Sequence, residues 1–219
     1  MSVCDILASS SINVLVLQET WLKSTESVSL HRAAPSGYTV IEEARPSITK
    51  YAHLSEKQID HGGVAIIYRA EFNSMKLSSL PQLKSFEFVC SRLNASHIED
   101  VVVDSIYHLG SPAVTLDFFD YLTQFLEELT TYHCPIMLLD DFNIHVERPD
   151  DIHVNKLLEL LTSFDMKLHV HMSTRHQGEF LYLFITHSDL TIDDITVSEV
   201  RLSDHCVVTV ELRFICKTA

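Results

Sequence analysis

Apolar runs that end abruptly in polar side chains are the main pattern along this chain. Residues 136–139 are all apolar and lead directly into Asp141 and Asn143. Such a run is typical of a buried strand that feeds a loop. Three further junctions of this kind place Glu19 after residues 12–17, Tyr107 at the end of residues 101–107, and Asp204 and His205 before residues 206–212. Because α/β folds carry their chemistry on loops at strand ends, the four junctions predict one site at the rim of stacked sheets.

The remaining periodicity predicts a layered α/β architecture. Apolar side chains recur at helical spacing in two stretches, which predicts core-facing helices over residues 118–129 and 154–164. Runs rich in β-branched and aromatic residues predict the strands. The predicted strands are residues 12–17, 64–68, 86–91, 101–107, 136–139, 168–171, 181–185 and 206–212.

Five short motifs, taken in order, resemble a known family. They are Glu19-Thr20-Trp21-Leu22, Gly62-Gly63-Val64-Ala65-Ile66, Tyr107 with Pro112 after it, Asp140-Asp141-Phe142-Asn143-Ile144-His145, and Ser203-Asp204-His205. In this order they resemble the endonuclease/exonuclease/phosphatase family. The nearest likeness is to the apurinic-like endonuclease domain of non-LTR retrotransposons of the long-interspersed-element type. The resemblance extends over residues 12–212, nearly the whole chain.

The resemblance implies a fold and one departure from it. The implied fold is a four-layer α/β/β/α sandwich of the DNase I type, formed by one domain over residues 1–219. The family begins with a strand that carries a metal-supporting asparagine, and only 18 residues precede Glu19 here. We therefore expect an N-terminally truncated domain without the first strand. Its neighbour would then have an open edge through which copies of the chain can associate.

The resemblance also implies Mg²⁺-dependent phosphodiester hydrolysis, with Mn²⁺ as a substitute. Glu19 would bind the metal and Asp204 would complete the metal or histidine surroundings. Asp141 would orient or deprotonate the attacking water, and Asn143 would hold that water or the phosphate. His205 and Tyr107 would donate to phosphoryl oxygens.

Two substitutions within the motifs predict weakened catalysis. Asp140 stands where the family has glycine, and a second carboxylate beside Asp141 is expected to raise the pKa of Asp141 by like-charge repulsion. Tyr182 stands where the family has the aspartate that pairs with the catalytic histidine. A phenol supplies no charge to stabilise imidazolium, so His205 would lose support.

Each candidate residue also has a purely structural interpretation. Glu19 can be a carboxylate at a helix start, and Tyr107 a strand-end aromatic with a hydrated hydroxyl. Residues 203–205 can be turn residues before the last strand. A zinc site at His169, His171 and His176 is disfavoured because no Cys or carboxylate completes a known ligand spacing.

Charge leaves the substrate class open. The formal net charge is −14, which repels a DNA backbone. DNA is the substrate that the resemblance implies, and weak DNA binding is expected. Two alternatives stand beside the nuclease: a phosphatase for a small or lipid phosphoester, and a non-catalytic remnant or binding module with the same fold.

Composition favours an intracellular protein, nuclear or cytoplasmic. The five cysteines form no C-x-x-C pair and are expected to be reduced thiols. No apolar run approaches about 18 residues, so no membrane partner is expected.

Overall fold

A computed structural model describes residues 2–9, 11–22, 28–44, 62–78, 85–96, 98–108, 114–170, 172–174, 179–199 and 205–213. The helices are α1 (Val3–Ser9), α2 (Val28–Ala33), α3 (Leu116–Thr130) and α4 (Ile152–Ser163). The first strands are β1 (Val14–Gln18), β2 (Tyr38–Glu43), β3 (Val64–Arg69), β4 (Asn73–Lys76), β5 (Glu87–Asn94) and β6 (Val101–Tyr107). They are followed by β7 (Ile136–Asp141), β8 (Met166–Leu168), β9 (Tyr182–His187), β10 (Thr191–Ser198) and β11 (Val207–Arg213).

The first sheet is antiparallel, with strand order β1-β3-β2. Its outer face is covered by α1 and α2, whose Leu7 and Leu30 pack against Ala65 and Ile67 of β3. The central position of β3 explains why residues 64–68 are an unbroken apolar run and fully buried.

The second sheet has six strands in the order β4-β5-β6-β7-β9-β8. The strands β6 and β7 are parallel, and α3 is the helical crossover between them. Both α3 and α4 bury their apolar stripes under this sheet, where Phe118, Phe125 and Leu157 are completely buried. The opposite face of the sheet packs against the first sheet through Val64, Val103 and Phe184. Helices, two sheets and helices thus form the predicted α/β/β/α sandwich.

A separate hairpin of β10 and β11 lies over the inner face of the second sheet, where Ile192, Ile195 and Val208 contact the core between the sheets. In the described part of the chain, β11 pairs only with β10, and β1 pairs only with β3. No helix in that part is both long enough and apolar enough to cross a membrane.

Three strands escaped the sequence prediction for physical reasons. All four residues of β4 are exposed, so they carry no apolar alternation. A bulge between Ile192 and Asp194 breaks the period-two pattern of β10. The strand β2 is polar at its end, with two adjacent glutamates.

The strand predicted over residues 168–171 was misplaced. Strand β8 begins at Met166 and ends at Leu168. It starts before residue 168 because Asp165, just after the preceding helix, has a left-handed conformation with φ 53° that reverses the chain there. Backbone pairing still continues beyond the strand, since the His169 N–H donates to the Phe184 carbonyl at 2.9 Å.

Candidate active site

The candidate site lies at one end of the two sheets and is built on a row of paired residues. In the second sheet Tyr107 is the register partner of Asp141, and Asp141 is the register partner of Tyr182. Register partners on neighbouring strands are adjacent on the same face of a sheet. Three side chains that are far apart in sequence are therefore aligned across β6, β7 and β9.

The first sheet brings Glu19 to this row. Beyond β1 the chain stays tied to the β2–β3 connection, since the Thr20 N–H donates to the Gly63 carbonyl at 3.0 Å and the Trp21 N–H to the Gly62 carbonyl at 2.7 Å. Glu19 itself has φ 51°, an unfavourable conformation for a side chain with a β-carbon. In this geometry the Tyr107 hydroxyl donates a hydrogen bond to Glu19 Oε1.

Asp141 and Asn143 form one hydrogen-bonded unit. The Asn143 backbone N–H donates to Asp141 Oδ1 at 3.0 Å, and the Asn143 side-chain N–H donates to the His108 carbonyl at 2.6 Å. The His108 N–H in turn donates to the Asp141 carbonyl at 2.8 Å. Asn143 has φ 52°, in the left-handed region that asparagine tolerates. Its amide nitrogen is thus fixed against the backbone, which leaves the amide oxygen on the opposite side of the group.

His205 stacks on the ring of Tyr182, with ring centroids 4.6 Å apart and an interplanar angle of 24°. Ring stacking replaces the charged pair that the resemblance implies at this position. Asp204, the predicted second metal ligand, lies outside the described residues, as does Ser203.

Glu87 connects the two sheets at the same end. Its buried carboxylate accepts the Gly63 N–H at 2.7 Å. Gly63 has φ 83°, and a β-carbon there would lie 2.6 Å from Thr20 Oγ1, so only glycine fits. The loop that holds Glu19 is therefore fastened to β5 of the second sheet.

The extra carboxylate, Asp140, points away from the site. It accepts the Ile106 N–H at 2.7 Å and lies against Asp104 in the helix-side core. Burial raises the pKa of both carboxyls well above the usual range, and the proximity of Asp140 raises that of Asp104 further. Successive residues of a strand face opposite sides, which separates Asp140 from Asp141. Like-charge repulsion by Asp141 adds to the raised pKa of Asp140, whereas the raised pKa expected for Asp141 stays a prediction.

His108 supports the site from beneath and is neutral at physiological pH. It is buried, and its ring packs edge-on against Phe118 with centroids 4.9 Å apart. Burial lowers the pKa of His108 to about 4, because a charged imidazolium would lose its hydration there.

The donor set fits a hard divalent cation. Glu19, Asp141 and Asn143 offer carboxylate and amide oxygens, and Mg²⁺ needs only one or two carboxylates beside water and substrate phosphate. Within the described ranges, no three His, Cys, Asp or Glu side chains cluster closely enough to hold a metal by themselves. Of the three histidines considered for a zinc site, His169 is bonded to the Thr186 hydroxyl at 2.8 Å, and His171 and His176 lie outside the described residues.

Several supporting residues were not identified from the sequence. They include Glu87, His108 and the pair Gln18 and Ser105, which joins the sheets through a 3.2 Å hydrogen bond. Gln18 also donates to the Leu139 carbonyl at 2.5 Å. Gln18 and His108 each follow an apolar run, which does not show what they contact, whereas Glu87 and Ser105 lie within runs of strand residues and carry no such signal.

Comparison with solved structures shows a shared fold. The endonuclease domain of TRAS1, a telomere-specific non-LTR retrotransposon, has a TM-score of 0.74 and 12% identity, covering 97% of this chain and 90% of that one. A 3′ phosphatase from Neisseria, bound to a product DNA hairpin, has a TM-score of 0.68 and 18% identity, covering 96% of this chain and 92% of that one. The Xenopus laevis APE2 catalytic domain has a TM-score of 0.63 and 14% identity, covering 100% of this chain and 89% of that one.

These likenesses show that the chain has the DNase I-like fold of endonuclease/exonuclease/phosphatase proteins, which confirms the fold predicted from the motifs. The structural neighbours are nucleases and phosphatases. No protein-family model and no curated protein sequence matches the chain.

Proposed function

We propose that this chain is a metal-dependent phosphodiesterase that cleaves DNA, as a retrotransposon-type endonuclease domain with reduced activity. The observation that carries the proposal is the alignment of Tyr107, Asp141 and Tyr182 across three strands, with Glu19 bonded to Tyr107 and His205 stacked on Tyr182. Acidic, amide and imidazole groups are thus gathered at one end of the sandwich, which is the set that phosphodiester hydrolysis requires.

Each residue has a definite role in the proposed reaction. Asp141 takes the proton of the attacking water, and the amide oxygen of Asn143 accepts a hydrogen bond from that water and orients it. His205 donates to a phosphoryl oxygen as negative charge develops. A Mg²⁺ ion held by Glu19, with Asp204 as the second proposed ligand, would neutralise phosphate charge and stabilise the leaving oxygen when bound.

An exposed tryptophan favours nucleic acid over a small substrate. Trp21 follows Glu19 by two residues, and 56% of its side chain is exposed. Aromatic rings stack on nucleic-acid bases with little sequence preference, and an exposed ring beside the candidate site is suited to this contact. This contact would partly offset the repulsion between DNA and a chain of net charge −14.

Plasmid nicking tests the proposal directly. Purified, folded chain should convert supercoiled plasmid to open circles with Mg²⁺ or Mn²⁺, at low salt, and EDTA should abolish the conversion. His205→Ala should remove the activity. Asp120→Ala, a substitution of an exposed aspartate on α3 beyond the opposite face of the second sheet, should nick like the parent. A folded parent chain without nicking would favour the non-catalytic alternative.

The net charge gives one alternative specific support, namely a phosphatase for a small phosphoester. Such a substrate presents less negative charge to the protein than a DNA backbone does. Release of phosphate from p-nitrophenyl phosphate, without plasmid nicking and with loss in His205→Ala, would establish this alternative.

Tyr107→Phe is expected to raise the Mg²⁺ concentration for half-maximal nicking about 10–100-fold, the usual cost of losing a group that orients a metal ligand. The reason is that the Tyr107 hydroxyl is bonded to Glu19 rather than left for the phosphate. The rate at saturating Mg²⁺ should change much less. Tyr121→Phe on α3 is the matched control. A lower saturated rate with unchanged Mg²⁺ dependence would instead place the Tyr107 hydroxyl on the substrate.

Tyr182→Asp is expected to raise the nicking rate up to about 10–100-fold, because it gives His205 a charged partner. The new carboxylate would also oppose Asp141 in register, which limits the gain through like-charge repulsion. Tyr182→Asn introduces a side chain of the same shape as aspartate without its charge, and it should show no gain in nicking rate. Equal rates for the aspartate and asparagine variants would show that His205 needs no charged partner.

A further inference from the structure

One buried threonine joins two separate segments of the candidate site. Thr174 is fully buried, and its carbonyl accepts the Cys206 N–H at 2.8 Å. Its Oγ1 accepts the N–H groups of Leu181 and Tyr182, both at 3.0 Å. Its own N–H donates to the Glu179 carbonyl at 3.0 Å. The chain just before β11 and the first residues of β9 are therefore both fastened to Thr174.

These two segments carry the two stacked rings of the site. Tyr182 donates one of the hydrogen bonds itself, and His205 directly precedes Cys206. The ring centroids of Tyr182 and His205 lie 4.6 Å apart, with an interplanar angle of 24°. Aromatic pairs accept a range of offset arrangements, so stacking alone does not fix how the two rings are placed. The backbone anchors at Thr174 supply the restraint that stacking leaves open.

The N–H groups of Leu181 and Tyr182 depend on the threonine hydroxyl. A hydroxyl oxygen has two lone pairs and can accept both hydrogen bonds. Because Leu181 and Thr174 are both buried, water does not readily replace this acceptor. A buried N–H without a partner is costly. Removal of the hydroxyl would therefore shift the backbone at the start of β9, and the Tyr182 ring with it.

We propose that Thr174 is a positioning residue, which holds His205 over Tyr182 and so aims the imidazole at the phosphoryl group. The inference rests on the proposed function, in which His205 donates to a phosphoryl oxygen. Because Tyr182 offers no charge to hold the imidazole, the backbone anchors at Thr174 carry that task. Thr174 is fully buried and acts through His205 rather than on the substrate.

Nuclear magnetic resonance of the whole chain tests this placement without any activity. Protons over the face of an aromatic ring resonate upfield, so the ring protons of His205 should lie upfield of those of an ordinary histidine. Thr174→Val has nearly the same shape and lacks the oxygen, and most of this upfield displacement should disappear in it. Amide hydrogen exchange at Leu181 and Tyr182 should become about 10–100-fold faster, because both N–H groups lose their acceptor.

Two further variants separate positioning from a general loss of stability. Thr174→Ser keeps the hydroxyl and should retain the upfield displacement of His205. Thr186→Val removes another fully buried hydroxyl of β9, which is bonded to the His169 ring at 2.8 Å. Thr186 lies four residues beyond Tyr182, or about 13 Å along the strand. Its substitution should destabilise the fold and leave the His205 resonances unchanged.

Plasmid nicking links the placement to the proposed function. Thr174→Val should lower the nicking rate at saturating Mg²⁺ about 100-fold, because a small displacement of a reacting group is costly. The Mg²⁺ concentration for half-maximal nicking should not change, since Glu19 follows β1 of the first sheet. Thr174→Ser should recover most of the rate. A parent chain that shows the His205 displacement without nicking would contradict the proposed function and still support the placement by Thr174.

The proposal is overturned if Thr174→Val folds and keeps the His205 displacement, or if Thr186→Val loses that displacement equally. It is also overturned if the folded parent shows no upfield displacement, or if its Leu181 and Tyr182 amides exchange as fast as exposed ones. The last two measurements need only the parent chain. Together with Thr174→Ser, they decide the matter even when the valine variant does not fold.

Discussion

Asp141→Asn is expected to lower the nicking rate by about 10²–10⁴-fold, the range for loss of a general base. The substitution keeps the size of the side chain and its Oδ1, so the 3.0 Å bond from the Asn143 N–H can persist. What is lost is the capacity to accept the proton of the attacking water. The measurement is the initial rate of plasmid nicking at saturating Mg²⁺, with circular dichroism to confirm the fold.

Asp140→Asn is the matched control, one residue earlier on the same strand. Asp140 faces the helix-side core, and an asparagine oxygen can still accept the Ile106 N–H. The nicking rate should therefore stay within a few-fold of the parent. Because the pKa of Asp140 is raised by burial, the folded state is penalised as pH rises above the ordinary range of an aspartate. The asparagine variant should consequently be more stable than the parent at neutral pH. An equal loss of nicking rate in Asp141→Asn and Asp140→Asn would contradict the proposed role of Asp141 as the general base.

His108 is expected to make the fold sensitive to acid. Its pKa is about 4 in the folded chain against 6.5 for an ordinary histidine, so the unfolded state binds the proton first. The contribution of the neutral ring is complete above pH 6.5 and is lost as pH falls from 6.5 to 4. A difference of 2.5 units at 1.36 kcal/mol each amounts to about 3 kcal/mol, or roughly 6–12 °C in Tm for a chain of this length.

His108→Phe isolates this effect. Phenylalanine retains the edge-on aromatic contact with Phe118 and cannot be protonated. The difference in unfolding free energy between variant and parent should shift by about 3 kcal/mol in favour of the variant between pH 7.5 and 4. Other titrating groups, including the Asp104–Asp140 pair, cancel in this difference. His133→Phe, at an exposed position in the turn after α3, is the control for the change of residue type. Parallel pH profiles for parent and His108→Phe would contradict the buried neutral imidazole.

Candidate site residues could be proposed from the sequence more readily than their contacts, because strand ends leave a local signal and contacts between distant strands do not. Glu19, Tyr107 and Asp141 each end an apolar run, and the end of a strand can be recognised locally. The partners of these residues are set by register between distant strands. That Tyr107 contacts Glu19 across 88 positions depends on how the two sheets face each other.

The parts that were missed have no local pattern. The bulge in β10 shifts its apolar residues off the period of two. The direction of Asp140 follows from strand alternation only once the strand is known to continue to Asp141. Asp204, a predicted metal ligand, stays a prediction because it lies outside the described residues.

The hydrogen bond between Gly63 and Glu87 bears on the temperature at which the site loses its geometry. The loop carrying Glu19 is fastened to the second sheet by a few hydrogen bonds, among them the 2.7 Å contact of Glu87 with Gly63, whereas the sheets themselves rest on extensive cores. Local opening at one end of the two sheets requires far less free energy than global unfolding. On warming, Glu19 would separate from Tyr107 while the sandwich is still intact. Heat would therefore inactivate the chain reversibly at temperatures below its melting transition.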